Sequence, residues 1–469
     1  MKRITSFILL LVLLSAPAFA QEVSKQEKKE AAKSHLKQHF KPYGFIRNYF
    51  TYDSRECIAG TGDLYFYMPK DESWNKTEDP ALREDLNAQS SFRFLSLTTR
   101  VGVNIVDYKW RNTEFSGKIE ADFFAGISKV GSGAHAVSGT AQFRLRQAYV
   151  TLGWDSLKMG KDYARVDLTL GQTWHPMAAD LCDVIALNSG APFGPFNRSP
   201  QVRMDARLGK MFTLTAAGLW QMQYNSTGPE GQSAEYMLYS KTPEAYLGLS
   251  FHHKGWIVRA GADVLSIKPR HQGKVIPTPG DTITVTVKDR ITTASPFLYL
   301  QYKKGEFSVK AKTIFAEAGE HMNMNGGYGV KKVNPDGSFE YTPIRTSSTW
   351  ISLVYGGKVG AQEDKHPQKL QGILFAGYSQ NLGTKDELAT DAGGKIVGLY
   401  SVRAKNLNRM WRLTPTLLYT VGKFQVGLEY DITSVQYSDG KISAKNGLSE
   451  NGLHWVTNHR VQLMTKYNF

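Results

Sequence analysis

Two short stretches carry most of what could act as chemistry in this 469-residue chain. QFRLRQAYV (142–150) sets Arg144 and Arg146 two positions apart, and FNRSPQVRMDARLG (196–209) does the same with Arg203, Asp205 and Arg207. A spacing of two is that of a β-strand, in which alternate side chains share a face. The guanidinium groups then line one surface, with Phe143 and Leu145, or Val202, Met204 and Leu208, on the other. Planar, permanently charged forks of this kind recognise carboxylates and phosphates, so the chemistry implied is the capture of small anions. Past Gln147 the alternation blurs, which is how a β-bulge reads in a sequence.

Bond-making chemistry is harder to find. There is no G-x-S-x-G elbow, P-loop, H-E-x-x-H or C-x-x-C, and no catalytic residue, metal ligand or cofactor is assigned. His35 and His39 have helical i, i+4 spacing without a third ligand nearby; His175 follows Trp174 in a loop, and His252-His253 ends a strand beside a tight turn. The two cysteines, Cys57 and Cys182, either form one bridge or remain separate thiols. A net charge of +15 raises nucleic acid as a partner. The basic residues are spread at strand spacing, however, and not gathered with stacking aromatics, so nucleic acid is set aside in favour of anionic lipid and lipopolysaccharide.

The elements that must position the arginines follow from the pattern of the whole chain. Residues 1–20 have Lys2 and Arg3, an apolar run and Ala18-Phe19-Ala20, the organisation of a cleaved signal peptide. Residues 21–42 read as a polar periplasmic lead, and from 43 to 469 the period is two. No later run approaches the eighteen apolar residues of a spanning helix. The stripes Leu95–Ile105, Phe212–Tyr224 and Trp411–Val421 run 11, 13 and 11 residues, long enough for the roughly nine to eleven that a strand tilted across a bilayer needs. Tight turns at Lys210, 253–255, 304–306 and 422–423 alternate with long polar segments at 225–243, 268–294, 318–347, 382–408 and 436–454. Short turns on one side and long loops on the other predict an all-β, transmembrane, antiparallel up-and-down barrel of about sixteen strands. The last strand, HRVQLMTKYNF, puts Val461, Leu463, Tyr467 and Phe469 toward lipid, with Tyr467 and Phe469 in the aromatic girdle and in the position of an assembly signal for the barrel machinery.

With the apolar parity toward lipid, the opposite parity names the lumen. Its basic residues, among them Arg47, Arg100, Arg144, Arg146, Arg203, Arg207, Arg259, Lys310, Lys312, Arg412 and Arg460, outnumber its acidic ones, which favours anions in a confined pore. The apolar, Gly-Pro-containing segment around 175–199 suits a loop folded into the channel, with Arg198 at its exit.

RLRQAYVTLGW, LTLGQTW and NRSPQVRMD, in that order, resemble the DcaP-like family of outer-membrane porins over about 70 residues. That resemblance implies a trimeric, sixteen-stranded, anion-preferring diffusion porin for small carboxylates in the outer membrane of a Gram-negative bacterium, with Arg144, Arg146, Arg198 and Arg203 as pore arginines. The chain departs from that pattern in the long segment 54–92 and in its short, irregular lead. The expectation is a passive, non-enzymatic porin; the competing readings are a barrel-embedded hydrolase and a structural or adhesive barrel with a plugged lumen.

Overall fold

A computed structural model describes residues 38–124, 141–159, 162–278, 280–360, 366–403 and 405–469; the expected signal peptide and nearly all of the polar lead lie outside them. The chain winds into a closed antiparallel barrel of sixteen wall strands. In chain order these are β1 (Phe40–Asp53), β2 (Ser91–Leu95 continued by Arg100–Trp110), β3 (Thr113–Phe124), β4 (Gln142–Met159), β5 (Asp162–Trp174), β6 (Arg198–Leu208), β7 (Phe212–Leu219) and β8 (Glu244–His253). The second half comprises β9 (Trp256–Ile267), β10 (Ile291–Lys304), β11 (Phe307–Glu317), β12 (Phe339–Tyr355), β13 (Gln368–Thr384), β14 (Leu407–Val421), β15 (Phe424–Tyr437) and β16 (His454–Asn468).

Closure comes from β1 pairing with β16 in register from Phe45↔Asn468 to Asp53↔Arg460. No strand edge is left to seek hydrogen bonds in hydrocarbon, the condition for any sheet that spans a membrane. The outward parity is the expected one: Val101, Ile119, Phe143, Leu145, Leu247, Leu298, Leu374, Leu417, Leu428 and Val461 are all exposed on the barrel's outer face. Tight turns sit where expected, with positive φ at Gly209, Gly255, Gly305 and Gly422, where glycine alone adopts the geometry without strain.

Two expectations are corrected, and the long segment 54–92 is accounted for. The stripe through Tyr224 is not all strand: β7 ends at Leu219, and the chain then enters a surface segment with a six-residue helix, Glu235–Ser240. The loop expected over 318–347 is largely extended, with a strand at Gly326–Val333 and β12 beginning at Phe339. The long segment 54–92 is not a surface excursion alone, because the hairpin Cys57–Gly60/Tyr65–Pro69 turns into the barrel, where Leu64, Phe66 and Met68 are almost wholly buried.

The interior is therefore partly filled. Tyr65, Tyr67 and Met68 from that hairpin, and Met177, Cys182, Ala191, Phe193 and Phe196 from the loop after β5, pack with wall residues Tyr299, Trp350 and Phe375 in one hydrophobic cluster. Open space remains along β1 to β4.

Candidate functional site

The loop after β5 lies inside the barrel and is tied to the far wall by buried hydrogen bonds. Lys312 Nζ donates to the Met177 carbonyl at 2.7 Å and to Asp180 O at 3.2 Å. Glu429 accepts the backbone N–H groups of Ile185 and Ala186 at 2.8 and 3.1 Å. Arg412 reaches two inward segments at once, donating to Ala191 O at 3.0 Å and to Tyr67 O at 2.7 Å. Arg460 clamps Asp53 through two 2.8 Å bonds and donates to Asp63 O at 2.9 Å. A loop inside a barrel must place its peptide groups somewhere; these charged wall residues are where they go. Lys312, Arg412 and Arg460, read from parity as lumen charges, are thus 2% exposed and engaged with backbone.

Between this loop, the hairpin and strands β1 to β4 lies a cavity of about 390 Å3. Its charged lining is Arg47, Arg100, Arg144, Arg146 and Asp122; Thr98, Tyr65, Tyr67, Trp174, Gln223 and Tyr224 contribute polar and aromatic surface, and Ile185 and Leu187 of the inward loop close one side. Arg144 holds Asp122 with two bonds of 3.0 and 3.1 Å. Arg146 bridges Glu120 at 2.9 Å and Asp122 at 2.6 Å. Arg100 stands 3.5 Å from Glu120, and Tyr43 donates to the same carboxylate at 2.7 Å. Among the described residues Arg47 meets no carboxylate: its Nε and Nη2 donate to the Thr98 hydroxyl at 3.1 and 2.8 Å. Four guanidinium groups face two carboxylates, and the surplus is positive.

Local backbone irregularities create this arrangement. Glu120 pairs with Gln147 while Ala121 pairs with Leu145, so Arg146 is the extra residue of a β-bulge. The bulge lets Arg146 and Gln147, sequence neighbours, both turn inward and be buried. It also breaks the ladder, and Gln172 mends it by donating to Arg146 O at 3.1 Å. Thr173 donates to the Gln147 side chain at 2.9 Å, which in turn donates to Glu120 at 3.2 Å. The Gly-Gln-Thr-Trp run is thereby a brace for the arginine strand. Gly171 belongs to it for steric reasons, since at φ 126° a Cβ would lie 2.3 Å from Ala148 O. A second interruption, residues 96–99 between the two halves of β2, delivers Thr98 to Arg47.

The other expected residues are placed as follows. Arg198 is 2% exposed and stacks on Trp174 and Phe196 at 4.8 and 5.6 Å, just behind the cavity lining. Arg203 pairs with Asp205 at 2.9 Å, and Arg207 reaches Asp167 at 3.4 Å with a half-exposed side chain. Arg259 holds Asp180 of the inward loop and donates to Ser250 at 2.8 Å. None of these last three lines the cavity. Tyr467 and Phe469 are exposed at the rim, and the Phe469 backbone bonds with Gly44. Cys57 and Cys182 are both free thiols; burial pushes both upward, Cys182 to about 12, so neither is a ready nucleophile. The pattern of residue types missed the hairpin's Thr61, Tyr65 and Tyr67, for which the only signal was the apolar run YFYMP inside an over-long segment.

Among solved structures, the barrel matches the outer-membrane channel DcaP of Acinetobacter baumannii with a TM-score of 0.58, over 92% of this chain and 97% of that one, at 17% identity. The fold is that of the DcaP channel. An anion-selective porin from Comamonas acidovorans matches at TM-score 0.45 and 10% identity, over 92% of this chain and 99% of that one. OmpT, an outer-membrane protein of Vibrio cholerae, matches at 0.46 and 11%, over 92% and 97%. No protein-family model and no curated protein sequence matches the chain. The DcaP-like fold thus rests on three-dimensional likeness, and the segments that suggested it, from the arginine strand to the brace, are the ones that line or support the cavity.

Proposed function

We propose that this chain is a passive channel of the bacterial outer membrane that favours small hydrophilic anions, carboxylates foremost. The observation that carries this reading is the cavity charge: Arg47, Arg100, Arg144 and Arg146 against Asp122 and Glu120. In a confined space walled by protein, a fixed positive excess raises the local concentration of anions and repels cations. Arg47, with no acidic partner, is the group most available to a passing carboxylate. Export with removal of residues 1–20, contact with lipopolysaccharide and assembly as a homotrimer belong to the same reading; the last is checked by native mass in mild detergent.

The decisive measurement is the reversal potential of the purified protein in planar bilayers under a salt gradient. Stepwise conductance with anion preference, weakening as ionic strength rises, supports the proposal. A silent bilayer, or preference for cations, overturns it.

A further inference from the structure

Away from the arginine cavity, four titratable side chains from distant parts of the chain meet in a buried knot. Glu244 opens β8, Asp263 lies on β9, His175 begins the inward loop, and His321 sits in the turn Gly319–Met322 after β11. All four are no more than 1% exposed. His321 Nε2 is 3.5 Å from Glu244 Oε1 and 3.4 Å from Asp263 Oδ2. His175 Nε2 is 2.7 Å from Glu244 Oε1 and 3.6 Å from Asp263 Oδ1.

The tautomers follow from the outer hydrogen bonds. His321 Nδ1 faces the Ala318 carbonyl at 3.1 Å and so carries a proton, leaving the Nε2 lone pair aimed at the two carboxylates. His175 Nδ1 accepts the Met177 N–H at 3.1 Å, so its Nε2 carries the proton and donates to Glu244. His175 is thus a holder of Glu244 and not itself a ligand. Three buried atoms remain without a hydrogen-bond partner, one per residue: His321 Nε2, Glu244 Oε2 and Asp263 Oδ1. A buried polar atom without a partner is costly, and one such atom on each of three residues of the same knot calls for a partner that the described residues do not supply. The two carboxylates bring a charge of −2, which either two imidazolium protons or one divalent cation on neutral imidazoles cancels. Ligand atoms around an ion with bonds of about 2.0–2.1 Å stand roughly 3.3 Å apart, close to the 3.4 and 3.5 Å from His321 Nε2 to Asp263 Oδ2 and Glu244 Oε1.

We propose that Glu244, Asp263 and His321 bind a divalent transition cation of the Zn2+ or Mn2+ class, with His175 positioning Glu244. The outer contacts are those of a metal site: the ligating imidazole donates its other N–H to a carbonyl, and a ligating carboxylate accepts a further bond. The ion serves as a staple. The His321 turn is bonded to the exit of the inward loop, with Asn197 Nδ2 donating to His321 O at 2.8 Å and Phe196 N to Met322 O at 2.9 Å, and His175 begins the same loop. One ion therefore fixes both ends of the constricting loop against β8 and β9.

The test is metal content, independent of conduction. Protein refolded with Zn2+ or Mn2+ and freed of loose ions by dialysis is expected to hold about one ion per chain by elemental analysis. His321→Gln and Asp263→Asn are expected to lower that at least tenfold while keeping the heat-shifted gel mobility of a folded barrel. Co2+ in place of Zn2+ is expected to give visible absorption bands that are lost in both variants. Fewer than one ion per ten wild-type chains, or equal content in folded variants, overturns the proposal. If neither variant folds, the wild-type content and the Co2+ bands decide alone.

Discussion

Two sets of inward basic residues share one barrel and do opposite things. Along β1 to β4, Arg47, Arg100, Arg144 and Arg146 border open space and leave a positive excess. Elsewhere, on β11, β14 and β16, Lys312, Arg412 and Arg460 are buried, their protons spent on carbonyls of the loop after β5 and of the hairpin 57–69 and, for Arg460, on Asp53. The same residue type at the same strand parity borders an open cavity in one part of the wall and clamps a folded segment in another. What separates them is whether a folded segment lies opposite. A charge facing water keeps its field available to solute, whereas a charge facing peptide carbonyls is consumed in holding them. The clamped segments fill part of the interior and leave the open cavity on the arginine side.

The largest effect should come from breaking a clamp. Arg460→Ala leaves buried Asp53 with the Asn458 amide at 2.9 Å and, as its cation among the described residues, only partly exposed Arg93 at 3.4 Å, and it frees the Asp63 and Leu64 carbonyls. Removing one partner of a buried ion pair costs about 3–5 kcal/mol, and the Arg93 contact puts this case near about 3. The urea midpoint of the folded barrel is expected to fall, and conductance to rise as the hairpin loosens. Unchanged values of both would mean that the hairpin is held without Arg460.

Next comes a steric wedge that touches no charge. Gly377 faces the Phe193 ring so closely that a Cβ there would lie 2.6 Å from it. Gly377→Val is expected to push the inward loop off the wall at a cost of about 1–3 kcal/mol, the usual range for overpacking. Single-channel conductance should increase, while the reversal potential changes little, because the arginines are untouched. A selectivity change equal to the conductance change would show that loop and arginines are not separable.

How far this comparison could be read from residues alone has a physical explanation. Lipid imposes an unbroken apolar stripe on each strand's outer face, so Val461 or Leu417 reveals the wall, and parity then places Arg144 and Arg146 inside. The doubled inward turn at Arg146 and Gln147 announced its bulge as a blur in that pattern. The hairpin did not announce itself, because Tyr65–Pro69 is covered on both faces and has no alternation to detect. Nor can parity tell a clamp from a ligand site: Arg412 and Arg144 look alike until the Ala191 and Tyr67 carbonyls are seen opposite the former. The knot of Glu244, Asp263 and His321 joins residues far apart in sequence, and no local spacing hints at it.

A sharper probe of the open side is Arg47→Ala. Among the described residues the Arg47 guanidinium donates to the Thr98 hydroxyl and to no carboxylate, so its loss strands no buried carboxylate, and stability should move far less than with Arg460. One charge at ~8 Å from a passing anion, with an effective dielectric of ~40, is worth on the order of 1 kcal/mol. The anion-to-cation permeability ratio is expected to fall about fivefold at low salt, read as a shift in reversal potential. Arg146→Ala should give a muddier result, since Glu120 and Asp122 would lose a partner and the barrel would weaken too.

The smallest effect belongs to Arg207→Ala, and it tests whether position or mere charge sets selectivity. Arg207 has the inward parity of Arg203 and the same formal charge as Arg47. Its side chain is 58% exposed, however, and its nearest acid is Asp167 at 3.4 Å, away from the cavity lining. Exposed charges are screened within about 8–10 Å at ordinary ionic strength, so a solute in the cavity should feel little of it. The reversal potential of Arg207→Ala is therefore expected to match wild type in the gradient where Arg47→Ala departs from it. Equal shifts in the two variants would mean that the whole basic lining acts as one diffuse field, and the contrast between the two walls would lose its meaning for selectivity while keeping it for stability.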